Sequence, residues 1–234
     1  MQSEITGILE SLLPQESYEF GFADLTGLLR PEFDGWNYAI SIAGRLNKNI
    51  VDSIADGPTR EYFEHYHAVN RTLAGLLRQI AGELEKIGVR SSPVPPTVED
   101  KYLDDEYFRT LRYPFSHKMA ATRAGLGWIG KTDLFLSKRF GPRLRLSSLL
   151  IDTQVAPLSP PVDESLCGQC NLCADKCPAH AADGTLWNIR RERNEFYDPF
   201  KCRAFCRKIS AERLGEEISL CGICVSVCPY GKGE

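Results

Sequence analysis

Apolar residues recur at helical spacing over one long stretch. Tyr62, Tyr66, Val69, Leu73, Leu76, Leu77, Ile80, Leu84 and Ile87 fall on one face of a 3.6-residue period. Thr59 is placed to cap this helix and Gly88 to stop it. A single apolar stripe on a helix of this length predicts packing against a sheet. Strands are predicted from the short apolar runs Tyr18–Leu25, Tyr38–Ala43, Val89–Val94, Leu134–Leu136 and Leu144–Ile151, with Gly35, Gly44 and the Pro95-Pro96 pair as punctuation. Met1–Leu13 reads as an opening helix and Glu106–Arg123 as a further one. The mixture predicts an α+β fold.

The pattern changes after Ile151. Val155–Val162, with Pro157, Pro160 and Pro161, reads as a linker, and all nine cysteines lie beyond residue 166. Two domains are expected, an α+β domain over residues 1–157 and a cysteine-bearing domain over 158–234. At 234 residues, 43% of them apolar, the chain can bury one full core and carry a small second domain. No apolar run approaches the roughly 20 residues of a membrane span. The N-terminus lacks a basic region followed by an apolar stretch. A reducing, cytoplasmic location is the expectation.

The cysteines carry the chemistry. Cys167, Cys170, Cys173 and Cys177, followed by Pro178, form a Cys-x2-Cys-x2-Cys-x3-Cys-Pro run, and Cys221, Cys224 and Cys228-Pro229 form a partial second copy. This is the spacing of a two-cluster bacterial ferredoxin, in which the last cysteine of each run reaches the other cluster. Two 4Fe–4S clusters need about eight thiolates. Cys167, Cys170, Cys173 and Cys228 are expected on one cluster, and Cys177, Cys221 and Cys224 on the other, completed by Cys202 or Cys206. Cys202 is preferred, which leaves Cys206 spare. Disulfides suit small secreted domains. Zinc sites favour Cys-x2-Cys pairs separated by a dozen or more residues. Neither pattern fits as well.

Formal charge is −3 before any cluster is counted. A 4Fe–4S core with four thiolates adds about −2. A dedicated nucleic-acid binder shows a basic excess, so nucleic acid is not an expected partner. Arg139, Arg143 and Arg145, and likewise Arg190, Arg191 and Arg193, read as solvated faces or cluster-shielding contacts, with room for a small basic spot that docks an acidic electron donor.

Residues 124–132 read Ala-Gly-Leu-Gly-Trp-Ile-Gly-Lys-Thr. They satisfy two phosphate-loop patterns, but those need a strand before the loop and a helix after it. Here a helix-like segment precedes, and Arg139, Gly141 and Pro142 follow too soon for a long helix. Gly125, Gly127 and Gly130 therefore predict either a tight turn or a bare backbone approached by a large flat ligand, with Trp128 available to stack on it and Lys131 to meet a phosphate or carboxylate.

The stretch AGLGWIGK, a following strand and the double cysteine motif together resemble the epoxyqueuosine reductases. The Tyr66-His67 pair and the Lys201-Cys202 entry to the second cysteine cluster are similar to that family as well. The resemblance covers roughly residues 36–230. It implies a nitroreductase-like, cobalamin-type α+β domain followed by a two-cluster ferredoxin-like domain, with cobalamin as a second cofactor beside the clusters. The family's C-terminal helical-repeat domain, which grips tRNA, would lie beyond Glu234 and is expected to be absent. The family's acidic proton donor would fall near Leu111, where Thr110 and Arg112 flank a non-acidic residue. A substrate other than tRNA is the expectation.

Tyr66, His67 and His117 are candidate proton donors by residue type. Tyr66 also sits on the apolar stripe, and His117 could cap or pair locally. His180, after Cys177-Pro178, is expected to shield a cluster. Two readings follow. In the first, low-potential electrons from a ferredoxin or flavodoxin type donor pass through two clusters to a corrinoid or substrate in the N-terminal domain. In the second, the chain is a cofactor-free ferredoxin-type carrier, or a reductase of a partner corrinoid protein.

Overall fold

The computed structural model describes residues 1–231. In chain order the elements are α1 (Gln2–Leu12), β1 (Tyr18–Asp24), β2 (Tyr38–Arg45), α2 (Lys48–Asp52), α3 (Arg60–Lys86), β3 (Ser91–Val94), α4 (Asp105–Thr110), α5 (His117–Arg123), β4 (Gly127–Ile129), β5 (Phe135–Ser137), β6 (Leu144–Ile151), α6 (Leu172–Asp175), α7 (Pro199–Leu214) and α8 (Ile223–Val227), joined by loops and short 3-10 turns.

Two compact units result. The first takes residues 1–45, 69–126 and 145–162, and the second takes 46–68, 127–144 and the chain from 163 onward. This division differs from a single cut after residue 157. Residues 46–68 and 127–144 are held among the cysteine-bearing segments. A Cβ on Gly222 would meet Ile54 Cδ1 at 2.3 Å and Tyr62 Cε1 at 3.2 Å, and one on Gly141 would meet Tyr230 O at 2.2 Å.

In the first unit a four-stranded sheet runs β1-β2-β6-β3. β1 and β2 pair antiparallel from Tyr18↔Gly44 to Asp24↔Tyr38, and β3 pairs antiparallel with β6 from Ser91↔Ile151. Alternation sends Ile40, Ile42, Leu149 and Ile151 to one face, where Leu73, Leu77, Ile80 and Leu84 of α3 and Ile5 and Leu9 of α1 cover them. Ala23, Ala39, Val94 and Leu150 face the other way, onto Ala120 and Ala124 of α5. Small residues there bring α5 close: a Cβ on Gly21 would lie 3.1 Å from Ala124 Cβ. Each large aliphatic side chain buried this way contributes about 1.5–3 kcal/mol.

The long helix has the ends its sequence predicts. Thr59 Oγ1 accepts the Tyr62 N–H at 3.2 Å. Gly88 sits at φ +78°, and Val89 N–H reaches back to Leu84 O at 3.0 Å, closing the last turn. The expected single helix Glu106–Arg123 is instead two, α4 and α5. Leu111 adopts φ 50° and ends α4, Pro114 cannot continue it, and Ser116 starts α5 by accepting the Met119 N–H at 3.2 Å.

The second unit has little regular structure. β4 and β5 form a hairpin, Gly127↔Ser137 to Ile129↔Phe135. Ile129, Trp187 and Phe196 form a small apolar cluster with Tyr197 against it. The glycine stretch thus feeds a hairpin rather than a helix N-terminus, which removes the phosphate-loop reading.

Two predictions test this packing. A Cβ on Gly127 would sit 1.9 Å from Leu136 O, whereas one on Gly82 of α3 meets nothing within 4 Å. Gly127→Val is expected to destabilise by at least about 3 kcal/mol and Gly82→Ala to stabilise by about 1 kcal/mol, both read from urea unfolding. The second concerns His117, whose Nδ1 lies 2.9 Å from Ser148 Oγ and whose Nε2 lies 3.0 Å from Pro95 O. Burial lowers its pKa from 6.5 to about 4. The unfolded chain therefore binds the extra proton between these values, and the stability contributed by neutral His117 is present above pH 6.5 and lost as pH falls toward about 4. His117→Gln should flatten the fall of the urea midpoint in that window; an unchanged slope would show that the ring does not titrate this way.

Candidate metal centre

All nine thiols lie in the second unit and none is in a disulfide. They form two groups. A cavity is lined by Cys167, Cys170, Cys173, Cys224 and Cys228, together with Gly130, Lys131, Pro142 and Tyr230. Cys173 feels the charges of Cys167 and Cys170, and Cys228 those of Cys173 and Cys167. In the second group Cys202 Sγ lies 3.8 Å from Cys206 Sγ. Cys206 also hydrogen-bonds Cys221, while Cys224 feels Cys202, Cys221, Cys173 and Cys177.

Local structure explains these positions. Asn171 starts α6, which carries Cys173 on its first turn. Asp198 caps α7 by accepting the N–H groups of Phe200 and Lys201, each at 3.0 Å, and fixes the helix that bears Cys202 and Cys206 one turn apart. Cys224 belongs to α8 and Cys228 follows its last turn, where the backbone leaves the helix for an extended conformation.

Burial holds three of these thiols against ionisation. Cys228 is pushed up to about 11, and Cys173 and Cys224 are raised for the same reason. Cys202 is held down to about 7, first by the hydrogen bond from Cys206 and, against the cost of burial, by the Tyr197 hydroxyl. Cys206, the donor, is raised, and Cys221 is lowered by its bond from Cys206. Nine thiols, three of them buried and the rest half-buried, become thiolates together only around a compensating cationic centre. The donor set therefore fits iron–sulfur clusters, which thiolates hold.

The residues expected to face a flat ligand divide between the units. Gly127, Trp128, Gly130 and Lys131 lie in the second unit. Trp128 Nε1–H donates to Cys167 Sγ at 3.2 Å, and its ring meets Tyr230 edge-on at 5.2 Å. Lys131 Nζ donates to Asn171 Oδ1 at 2.6 Å. A Cβ on Gly130 would lie 2.5 Å from Leu136 Cδ1 and 3.6 Å from Cys167 Sγ. This stretch borders the thiol cavity through Gly130 and Lys131. Gly125 lies in the first unit at φ +72°, where a Cβ would meet Ser159 O and Pro160 O at 2.6 Å.

The proton-donor candidates are not brought together within one unit. Tyr66 and His67 lie on the α3 turns that belong to the second unit, both half-buried, with His67 edge-on to Phe63 at 4.5 Å. His117 lies in the first unit with both ring nitrogens engaged. His180 is exposed. His65, half-buried, accepts the Asn47 N–H at 2.9 Å.

Sequence reasoning missed Arg143, Asn171 and Tyr197. Arg143 is one of three arginines that read as solvated faces or cluster-shielding contacts; it is 2% exposed. Its guanidinium donates to Tyr230 O at 2.8 Å, Ser226 O at 3.0 Å and Cys228 O at 3.2 Å, and Asp52 Oδ1 lies 3.6 Å away. Arg145 instead donates to Asn70 Oδ1 and Pro96 O. No pattern along the chain separated the two arginines, since residues two apart share a face in a strand.

Residues 166–231 match the family described as a 4Fe-4S double cluster binding domain. An epoxyqueuosine reductase of Pseudomonas aeruginosa is 31% identical over 119 residues, 51% of this chain and 32% of that protein. A crystal structure of an epoxyqueuosine reductase with a tRNA stem loop superposes over 99% of this chain and 65% of that one, with a TM-score of 0.61 at 16% identity. A reductive dehalogenase, whose structure is described for B12-dependent dehalogenation, superposes over 92% of this chain and 30% of that one, with a TM-score of 0.64 at 17% identity. At those identities the two structures share the fold. The chain spans about a third of the length of the P. aeruginosa protein. Among the described residues no helix is long and apolar enough to cross a membrane. By sequence over about half its length the chain is similar to the epoxyqueuosine reductases and shares their fold, and its residues 166–231 match an iron–sulfur cluster-binding family.

Proposed function

We propose that this chain is an iron–sulfur oxidoreductase that passes low-potential electrons through two 4Fe–4S clusters to a corrinoid or substrate held by the first unit. Its substrate is something other than tRNA, in keeping with the net charge of −3. The observation that carries this reading is the gathering of thiols in one unit, with Cys167, Cys170, Cys173, Cys224 and Cys228 lining one cavity and Cys202, Cys206 and Cys221 hydrogen-bonded together. In this reading Cys167, Cys170, Cys173 and Cys228 hold one cluster, and Cys177, Cys202, Cys221 and Cys224 hold the other. Bound there, the clusters supply one-electron transfer at low potential.

The chain's own groups set the conditions. Trp128 N–H and the Tyr197 hydroxyl donate to ligand sulfurs, which spreads their charge. Cys206 stands beside Cys202 and Cys221 as a thiol donor. Tyr66, His67 and His117 are the proposed proton donors by residue type, with His117 held by Ser148 and Pro95. A low-potential ferredoxin or flavodoxin type donor would feed the clusters in a cytoplasmic setting.

Anaerobic purification with iron and sulfide analysis checks the cluster count. About eight irons per chain are expected, with Cys206→Ser keeping all of them and Cys202→Ser losing about half. Loss of a whole cluster from Cys206→Ser would reverse the ligand choice. Hydroxocobalamin added to the reduced protein checks the acceptor. Cobalt absorption bands that change after the cluster bands support the corrinoid reading, whereas an unchanged spectrum without binding supports the carrier.

A further inference from the structure

The two thiol groups differ in the charges built around them, and the ligand count does not require that difference. Beside the group of Cys167, Cys170, Cys173 and Cys228 stand two buried cations. Lys131 is 4% exposed and lines the cavity. Its ammonium has one partner among the described residues, Asn171 Oδ1 at 2.6 Å. An ammonium carries three donors, so two remain for the cavity. Arg143 is 2% exposed and lies directly behind Cys228, whose carbonyl it binds at 3.2 Å. Its Nε has no partner among the described residues. The carboxylate nearest it, Asp52, is partly exposed and is shared with Lys48 at 2.6 Å, so the local sum stays positive.

The surroundings of Cys202 differ. No buried cation stands there among the described residues; Asp133 in the β4–β5 loop acts on its sulfur through its charge, and Asp198 at the start of α7 is partly exposed and paired with Lys201 at 3.6 Å. The cation that acts on Cys221 is Arg213, which is exposed and therefore screened by water. Tyr197 and Cys206 contribute neutral donors there. In a low-dielectric site, full charges outweigh such dipoles.

Reduction adds one negative charge to a cluster, so a buried cation beside it stabilises the reduced form. We propose, on the reading that this unit carries two 4Fe–4S clusters, that Lys131 and Arg143 hold the Cys167, Cys170, Cys173 and Cys228 cluster at the higher reduction potential. That cluster is then reduced first, by one electron from an external low-potential donor that is itself oxidised. A single electron rests there, and passage to the other cluster is uphill until a second electron arrives. Lys131 and Arg143 act as positioning charges rather than catalytic residues.

The test is an anaerobic dithionite titration with redox mediators, followed by electron paramagnetic resonance, on the holoprotein and three variants. Wild type should show two resolved one-electron steps. Lys131→Met should lower the upper step by at least tenfold in its equilibrium constant, 59 mV for one electron, and leave the lower step in place. Lys131→Arg should restore it. Asp133→Asn should raise the lower step alone. Iron content separates this idea from the one beneath it. A wild-type protein without clusters sinks both. A full complement of iron with one unresolved step, or with an upper step that Lys131→Met does not move, overturns the charge assignment and leaves the cluster reading intact.

Discussion

Sulfur atoms from three separate stretches of chain must meet in a unit that has almost no sheet and only one long helix of its own. Backbone carbonyls gripped by a buried guanidinium meet much of that demand. Arg143 binds the main chain at Ser226, Cys228 and Tyr230, and so fixes the segment that delivers Cys228 back to the first cysteine run. Burying this cation is costly unless its donors are used. Three carbonyls and the Asp52 carboxylate use them.

The glycine hairpin plays the complementary part. Gly127 and Gly130 let β4 and its turn lie against β5 at distances no side chain would permit. That closeness brings Trp128 N–H onto Cys167 and Lys131 into the cavity wall. A motif that looks like a phosphate loop on paper is thus a scaffold for thiols. The same residues link architecture to electronics, since the donor and the cation sit where a reducible centre would feel them most.

Much of the first unit was legible along the chain. The stripe from Tyr62 to Ile87 marks α3, and the limits of β6 at Leu144 and Ile151 coincide with its apolar run. The helix expected over Glu106–Arg123 was wrong because a left-handed Leu111 and Pro114 outweigh helical spacing. The two-unit division was less legible. Segments 46–68 and 127–144 hold no cysteine, and only their packing assigns them to the cysteine-bearing unit.

Ligand chemistry is local, so cysteine spacing by itself determined that thiols in this chain are arranged for iron–sulfur clusters; three-residue steps place successive sulfurs around one centre whatever surrounds them. Tertiary structure alone decided what stands beside those sulfurs. Arg143 is buried because it lies just before β6 against the carbonyls of Ser226, Cys228 and Tyr230, and His117 is a structural group because Ser148 and Pro95 flank it. Charge and burial are properties of the assembled interior, and no pattern of residue types along the chain contains them.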